Sequence, residues 1–174
     1  MNIAVFCSFK DIDEKYAKPA EEFVERFAKA GHHLVFGGSN VGLMKRVADI
    51  AQRNGARVTS ITFEKLRQSV RQESDEILVA KDLPERKSLF MKHADAFVVL
   101  PGGIGTLDEI TEMMELKKHQ LHDKRIVIFN IAGYYDGLRT LMERMESEGF
   151  LAHSLSYYVA FADAVEDVLA ALAS

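Results

Sequence analysis

Residues 96–106 read AFVVLPGGIGT, a short apolar run that leads straight into three glycines within four positions. A short apolar run bounded by proline and glycine is typical of a buried strand. The following residues, 107–118, are predicted to form a long helix. A strand, a glycine-rich turn and a helix in succession are half of a βαβ unit. This stretch therefore predicts an α/β fold with a mainly parallel sheet.

The remainder of the chain repeats the alternation of short apolar runs and longer helical patterns. The predicted strands are 3–7, 34–36, 57–62, 77–80, 96–100 and 125–130. The predicted helices are 13–30, 41–53, 84–93, 107–118, 135–148 and 162–172. Apolar strands separated by helices indicate a parallel sheet covered on both faces. We therefore expect a single Rossmann-like, doubly wound α/β domain over residues 1–174, with ligands bound beyond the carboxyl ends of the strands.

The composition of the chain limits the kinds of molecule that it is expected to bind. The chain has 174 residues, 22 Lys and Arg against 26 Asp and Glu, and a formal net charge of −4. A nucleic-acid-binding domain usually shows a strongly basic surface, and no apolar stretch approaches the ~20 residues of a membrane span. The chain lacks the pattern of a signal peptide, and its lone cysteine, Cys7, indicates a reducing compartment. We expect a cytoplasmic protein that binds small molecules or copies of itself.

The glycine-rich turn is a candidate phosphate site. Gly102, Gly103 and Gly105 have no Cβ, so their backbone N–H groups can approach an anion closely. The helix that follows presents a partial positive charge at its N-terminus, and Thr106 can cap it with its hydroxyl. The spacing is not that of a Walker A loop. A tight turn that simply requires glycine explains the same residues, so this motif alone leaves both interpretations open.

The loop after the second predicted strand repeats this design. It begins with Gly37, Gly38 and Ser39 and leads into a helix. A structural turn is again the alternative. Because the carboxyl ends of parallel strands meet at the same edge of a sheet, the two loops predict a nucleotide-sized polar crevice.

Charged residues lie close to both loops in sequence. Glu109 follows Thr106 by three residues, which fits either a functional carboxylate or the second member of a capping box. Arg86 and Lys87 lie near the start of the preceding predicted helix, where the helix dipole does not favour basic residues. They are either functional or a solvated basic pair.

Taken together, these motifs resemble the LONELY GUY (LOG) family. Its signature is an Arg-Lys pair, here within Glu-Arg-Lys at 85–87, followed by a PGGxGTxxE loop, here PGGIGTLDE at 101–109. The run GGSNVGLM at 37–44 and the Gly-Tyr-Tyr sequence at 133–135 add to the likeness. The resemblance extends over nearly the whole chain.

The resemblance implies a phosphoribohydrolase that cleaves the N-glycosidic bond of a purine, adenine-type nucleoside 5′-monophosphate such as AMP. The products are the free base and ribose 5-phosphate. It implies that Arg86 and Glu109 are catalytic, and it implies no cofactor, no metal and a homodimer. The implied phosphate-binding residues are Gly102, Gly103, Gly105 and Thr106. Further implied substrate contacts are Lys87, Gly37, Gly38, Ser39 and Ser8.

Several positions depart from the family pattern. The first loop reads CSFK at 7–10 where relatives usually have Cys-Gly-Ser-Ser, and Leu83-Pro84 stands where Met-His is usual. These differences border the base and ribose side of the crevice, so they bear on base specificity. The alternative function is a non-catalytic nucleotide or phosphate-ligand carrier of the same fold.

Two further expectations concern the surface. Met113, Met114 and Leu116, on the helix after the phosphate loop, are candidates for the dimer interface, and burial in the chain's own core is the alternative. Residues 63–76 are polar and show no clear period. They are a candidate mobile cover over the crevice.

Overall fold

The computed structural model describes residues 1–173, in which seven strands form one sheet. The strands are β1 (Asn2–Phe6), β2 (His33–Phe36), β3 (Val58–Phe63), β4 (Glu76–Ala80), β5 (Ala96–Val99), β6 (Arg125–Phe129) and β7 (Ala160–Ala162). Their order across the sheet is β4-β3-β2-β1-β5-β6-β7, and every neighbouring pair is parallel. The predicted doubly wound parallel sheet is confirmed.

Seven α-helices connect or follow these strands. They are α1 (Glu14–Lys29), α2 (Gly42–Arg53), α3 (Leu83–His93), α4 (Ile104–Lys118), α5 (Asp136–Ser147), α6 (Leu155–Tyr158) and α7 (Val165–Ala173). Short 3₁₀ helices occupy Glu64–Ser69 and Ile131–Gly133. Within residues 1–173, none of the helices is long and apolar enough to cross a bilayer.

The first helix shows how local sequence sets the elements. The Asp13 carboxylate accepts a hydrogen bond from the Lys15 backbone N–H (2.9 Å) and so caps the N-terminus of α1. Phe23 and Phe27 lie one turn apart and are fully buried against the sheet. Gly31, with φ +81°, follows the last turn in a conformation that favours glycine.

Side chains alternate between two core layers on the two faces of the sheet. From β1, Ile3 and Val5 point into a layer formed with α1, α2 and α7. Ala4 and Phe6 point into the opposite layer, against α3, α4 and α5. There the ring of Phe6 packs edge-on against Phe90, with centroids 5.1 Å apart. The central strands β1, β2, β5 and β6 are therefore buried on both faces, which is why they read as nearly continuous apolar runs.

The strand order places the ligand-binding edge beside β1. The chain builds outward from β1 to β4 and then returns to place β5 on the other side of β1. At such a switch point the connections leave in opposite directions, and a crevice opens beyond the carboxyl ends of the strands. The loops after β1, β2 and β5 meet at this crevice.

The prediction was wrong at the C-terminal edge of the sheet. Residues 160–162 form β7, whereas they were predicted to lie outside any strand or at the start of the last helix, which begins instead at Val165. The short helix α6 was also missed. Three residues are too few to show a strand pattern, and β7 is defined by pairing with β6, for example through the Asn130 N–H donating to the Ala162 carbonyl (2.8 Å).

Helix α4 also begins earlier than predicted, at Ile104 rather than Leu107. Its N-cap is Gly103, and Thr106 lies inside the first turn. The predicted capping role of Thr106 is therefore wrong, and with it the capping-box interpretation of Glu109. The side chains of Thr106 and Glu109 are therefore available for contacts other than capping α4.

Candidate functional site

A cavity of about 700 Å³ opens at the switch point. It is bounded by the loops after β1, β2 and β3, by α3 and by the first two turns of α4. Nine of the eleven predicted site residues line it, namely Ser8, Gly37, Gly38, Ser39, Arg86, Gly103, Gly105, Thr106 and Glu109. Gly102 and Lys87 are not among the lining residues.

The N-terminus of α4 lies at one end of the cavity. The first intrahelical bond runs from the Leu107 N–H to the Gly103 carbonyl (3.1 Å). The N–H groups of Ile104, Gly105 and Thr106 precede it and so have no partner within the helix. At Gly103 and Gly105 no other group lies within 4 Å of where a Cβ would be. This end of the cavity can therefore admit a phosphate to backbone donors at a helix N-terminus.

Gly102 belongs to the same loop but does not line the cavity, and it packs against Thr106 instead. A Cβ at this position would lie 2.1 Å from the Thr106 Oγ1, so only glycine allows the two residues to pack. Its carbonyl accepts a hydrogen bond from the Tyr134 hydroxyl (2.7 Å). The structure thus assigns Gly102 to the shape of the loop, not to its cavity face.

The second glycine-rich loop does not repeat the design of the first. The N-terminus of α2 is already occupied, because the Leu43 N–H donates to the Lys10 carbonyl and the Met44 N–H to the Ser8 carbonyl (both 3.1 Å). Gly37 allows Arg86 to approach closely, since a Cβ there would lie 2.7 Å from Nη2. The expectation of a second phosphate-type loop is wrong. The cavity has a single open helix N-terminus within residues 1–173, which suits one phosphate group.

Gly42 holds the first loop against α2, and its replacement is a stability test. Its φ is +60°, and an added Cβ would lie 2.3 Å from the Phe9 carbonyl oxygen. We expect Gly42→Ala to lower the free energy of unfolding by at least about 1–3 kcal/mol, the usual cost of such backbone strain. Urea unfolding measures this effect.

Gly137→Ala is the matched control for that measurement. Gly137 lies in the first turn of α5, with open space around its Cβ position. There alanine should be neutral or stabilise the protein by up to about 1 kcal/mol. Equal stabilities for the two variants would contradict the role given to Gly42.

Arg86 and Glu109 form a buried ion pair at the centre of the cavity. The Arg86 Nη1 donates to Glu109 Oε1 (2.8 Å), and the two side chains are 13% and 7% exposed. Arg86 is held by two further bonds, from Nε to the Ile61 carbonyl (2.9 Å) and from Nη2 to the Gly37 carbonyl (3.4 Å). Its guanidinium also lies over the ring of Phe90, 5.1 Å from the centroid. Arg86 is thus held by β3, by the loop after β2 and by α4, and it orients one carboxylate oxygen of Glu109.

The other carboxylate oxygen, Oε2, has no hydrogen-bond partner among residues 1–173 and belongs to a side chain that lines the cavity. Burial raises the pKa of Glu109 to about 6, although the neighbouring Arg86 opposes this by favouring the charged form. At neutral pH the group is mostly ionised. The site therefore presents a carboxylate one helical turn from the open N-terminus of α4.

Lys87 does not reach the cavity. Its ammonium group contacts the carboxylates of Asp108 (3.2 Å) and Glu112 (3.3 Å) on the outer side of α4. The predicted substrate contact of Lys87 is not supported by this geometry. Lys87 instead ties α3 to α4, the two helices that carry the ion pair.

The cavity also has an apolar side, which the sequence patterns did not predict. Its rim carries exposed apolar side chains, of which Ile104 is 82% exposed. The others on the rim are Phe9, Val41, Leu66 and Leu83. Each is a lone apolar residue in a polar loop or at a helix start, which is a weak signal without the fold.

Residues 63–76, which show no clear sequence period, contribute to this apolar side of the cavity. Phe63, Leu66, Ser69 and Val70 line the cavity, and an isolated bridge pairs Val70 with Ser39 of the second loop. The expectation that this segment lies over the crevice agrees with the structure. Its mobility stays a prediction.

The methionines proposed for a dimer interface lie mainly inside. Met113 is fully buried in the core layer on its side of the sheet, and Met114 and Leu116 pack partly against that layer. The assignment of Met113 to an interface is therefore wrong. The homodimer itself stays a prediction. No group of three or more His, Cys, Asp or Glu side chains suited to a metal ion occurs in residues 1–173.

Comparison with known proteins finds a matching family model and named relatives. A family model described as possible lysine decarboxylase matches residues 44–172. A cytokinin riboside 5′-monophosphate phosphoribohydrolase from Mycobacterium tuberculosis is 32% identical over 173 residues, covering 98% of this chain and 92% of its own. The relative LOG5 of Arabidopsis thaliana, which carries the same enzyme name, is 31% identical over 155 residues, covering 87% and 68%.

Among solved structures, the molybdenum cofactor binding protein from Rippkaea orientalis superimposes with a TM-score of 0.74 at 19% identity, covering 97% of this chain and 93% of its own. A Moco carrier protein from Chlamydomonas reinhardtii gives a TM-score of 0.73 at 19% identity, covering 99% and 94%. At this level of identity the likeness shows a shared fold.

Proposed function

Because this chain belongs to the LOG family, whose model is described as possible lysine decarboxylase, we propose that it hydrolyses a purine nucleoside 5′-monophosphate to the free base and ribose 5-phosphate. The observation that carries the proposal is the position of the Arg86–Glu109 pair. The pair lies in the same cavity as the open N-terminus of α4, and Glu109 lies one helical turn from Thr106. A ribose can lie between a phosphate and a carboxylate at that separation.

The phosphate anchors the substrate away from the bond that breaks. Bound at Gly103 and Gly105, it supplies binding energy that places the ribose beside Glu109. The C1′–N bond then breaks, its electron pair leaves with the base, and the ribose develops oxocarbenium character, as in glycoside hydrolysis. Water adds to C1′ and loses a proton, while the departing base gains one.

Glu109 is the group placed to stabilise the positive charge that develops on the ribose. Its carboxylate stabilises the positive ribose and accepts hydrogen bonds from ribose hydroxyls or from the attacking water through Oε2. Arg86 keeps the carboxylate charged and oriented. In this scheme the backbone donors hold the phosphate, and Glu109 and Arg86 act at the ribose.

The apolar half of the cavity is suited to the base. We infer that the base lies between Phe63 and Val70 on one side and the first loop on the other, where the apolar rim could also contact an apolar substituent on the base. The related enzymes are named for cytokinin riboside monophosphates. We infer that both AMP and a nucleotide with an apolar group on the adenine amine are substrates.

The direct test is product release. The protein is incubated with AMP, with isopentenyladenosine monophosphate and with pyrimidine nucleotides, and free base and ribose 5-phosphate are quantified. Release of both products from the adenine nucleotides supports the proposal. Tight nucleotide binding with no base released from any of them would instead favour a non-catalytic carrier.

A further inference from the structure

Tyr134 and Tyr135, which follow β6, contact the glycine-rich loop after β5. The turn that presents it is unusual, because Ala132 and Gly133 both have positive φ (50° and 70°). Asn130 fixes this turn through its side-chain amide, whose Oδ1 accepts from the Tyr135 backbone N–H (2.6 Å). Its Nδ2 donates to the carboxylate of Asp136 (2.8 Å). Such a turn is held by specific bonds, not by local preference.

The two hydroxyls contact successive parts of the loop. The Tyr135 hydroxyl donates to the carbonyl of Leu100 at the end of β5 (2.9 Å). The Tyr134 hydroxyl donates to the carbonyl of Gly102 (2.7 Å). The Tyr134 ring packs edge-on against Tyr135, with centroids 4.8 Å apart, and against Tyr16, at 5.5 Å. The position of the Tyr134 hydroxyl is therefore fixed from two sides.

The bond to Gly102 determines where an anion donor points. In a trans peptide unit the carbonyl and the N–H project in opposite directions. The Gly102 carbonyl points to Tyr134, so the N–H of the same unit, which belongs to Gly103, points away from Tyr134. Gly103 lines the cavity, whereas Gly102 does not.

Apart from the Tyr134 hydroxyl, the Gly102 carbonyl has no hydrogen-bond partner among residues 1–173, so loss of this bond removes the direct restraint on rotation of the Gly102–Gly103 peptide. Glycines on both sides of the unit permit many backbone conformations. A rotated unit would present a carbonyl oxygen to the phosphate in place of a donor. A hydrogen bond accepted by the carbonyl also polarises the peptide and strengthens its N–H as a donor.

We propose that Tyr134 is a positioning residue for the phosphate loop. Its hydroxyl fixes the Gly102–Gly103 peptide with the N–H toward the anion and so sets the affinity for the phosphate of the ligand. It acts on binding and not on cleavage of the glycosidic bond. This inference rests on the proposed function only in requiring a phosphorylated ligand.

The test is Tyr134→Phe, which removes the hydroxyl and keeps the ring. Binding of ribose 5-phosphate and of inorganic phosphate is measured by calorimetry, and KM and kcat are measured with AMP. We expect about three- to tenfold weaker binding of ribose 5-phosphate, the usual worth of one hydrogen bond. KM should rise by a similar factor and kcat should stay within about twofold.

Tyr157→Phe is the matched control. The Tyr157 hydroxyl also donates to a backbone carbonyl, that of Lys117 (3.0 Å), but at the opposite end of α4. This variant should bind ribose 5-phosphate as the wild type does, and thermal unfolding of both variants shows whether they are folded.

The outcomes separate this inference from the proposed function. Unchanged affinity in folded Tyr134→Phe, or a fall in kcat with constant KM, overturns the positioning role and leaves the hydrolase proposal standing. Weaker binding in Tyr134→Phe, in a protein that releases no base, supports the positioning role and overturns the hydrolase proposal.

Discussion

Glu109→Gln is expected to lower kcat by about 10²–10⁴-fold, the range typical of losing a positioned acid–base or charge-stabilising group. Glutamine has nearly the same shape, and its amide oxygen can still accept from the Arg86 Nη1, so the packing of the site should be kept. What disappears is the negative charge next to the developing oxocarbenium ion. Because that charge acts in the transition state, kcat and kcat/KM should fall together while KM changes little.

The control for this variant is Glu112→Gln on the same helix. Glu112 lies about one turn from Glu109, contacts Lys87 and does not line the cavity. Its replacement should leave kcat unchanged. Steady-state release of base from AMP measures both variants. If Glu109→Gln kept more than about half of the wild-type kcat, Glu109 would not be the carboxylate that meets the ribose charge.

Part of the fold and of the site could be predicted because its signals are local. The strands β1, β2, β5 and β6 are short, mainly apolar runs that alternate with helical patterns, and the parallel sheet is predicted from that alternation. The open glycines 103 and 105 likewise follow from local sequence. The Arg86–Glu109 pair could not be derived in this way, because 23 residues separate its members, and only the family resemblance joined them.

The errors have geometric causes. Adjacent residues of a helix point about 100° apart, so Arg86 and Lys87 cannot both face the cavity from α3. The α2 N-terminus looked open in sequence, yet carbonyls of the first loop, from Ser8 and Lys10, occupy it. The contact of Tyr134 with Gly102 spans 32 residues and depends on the positive φ of Ala132. These are contacts between segments distant in sequence, which periodicity and spacing do not report.

Arg86→Ala is expected to lower activity at pH 7 by about 10²–10³-fold, by a route that differs from loss of the carboxylate. In the wild type, burial raises the pKa of Glu109 to about 6 and Arg86 opposes that rise. Activity that requires ionised Glu109 should therefore fall below about pH 6. Without Arg86 the two largest lowering effects, its charge and its hydrogen bond, are lost, and the weaker effects of Asp108 and Lys87 oppose each other. Burial then raises the pKa further, and Glu109 is protonated over more of the neutral range.

The pH profile separates this effect from simple loss of a contact. The acidic limb of kcat/KM in Arg86→Ala should lie at higher pH than in the wild type, and raising the pH should recover part of the activity. Arg86→Lys should return the limb toward its wild-type position, because a positive charge is restored. It should not restore full kcat, because an ammonium cannot reproduce the planar fork that bonds Glu109, the Ile61 carbonyl and the Gly37 carbonyl together. An Arg86→Ala limb that stayed at the wild-type pH would show that the arginine does not keep Glu109 charged, and its role would then lie with the substrate.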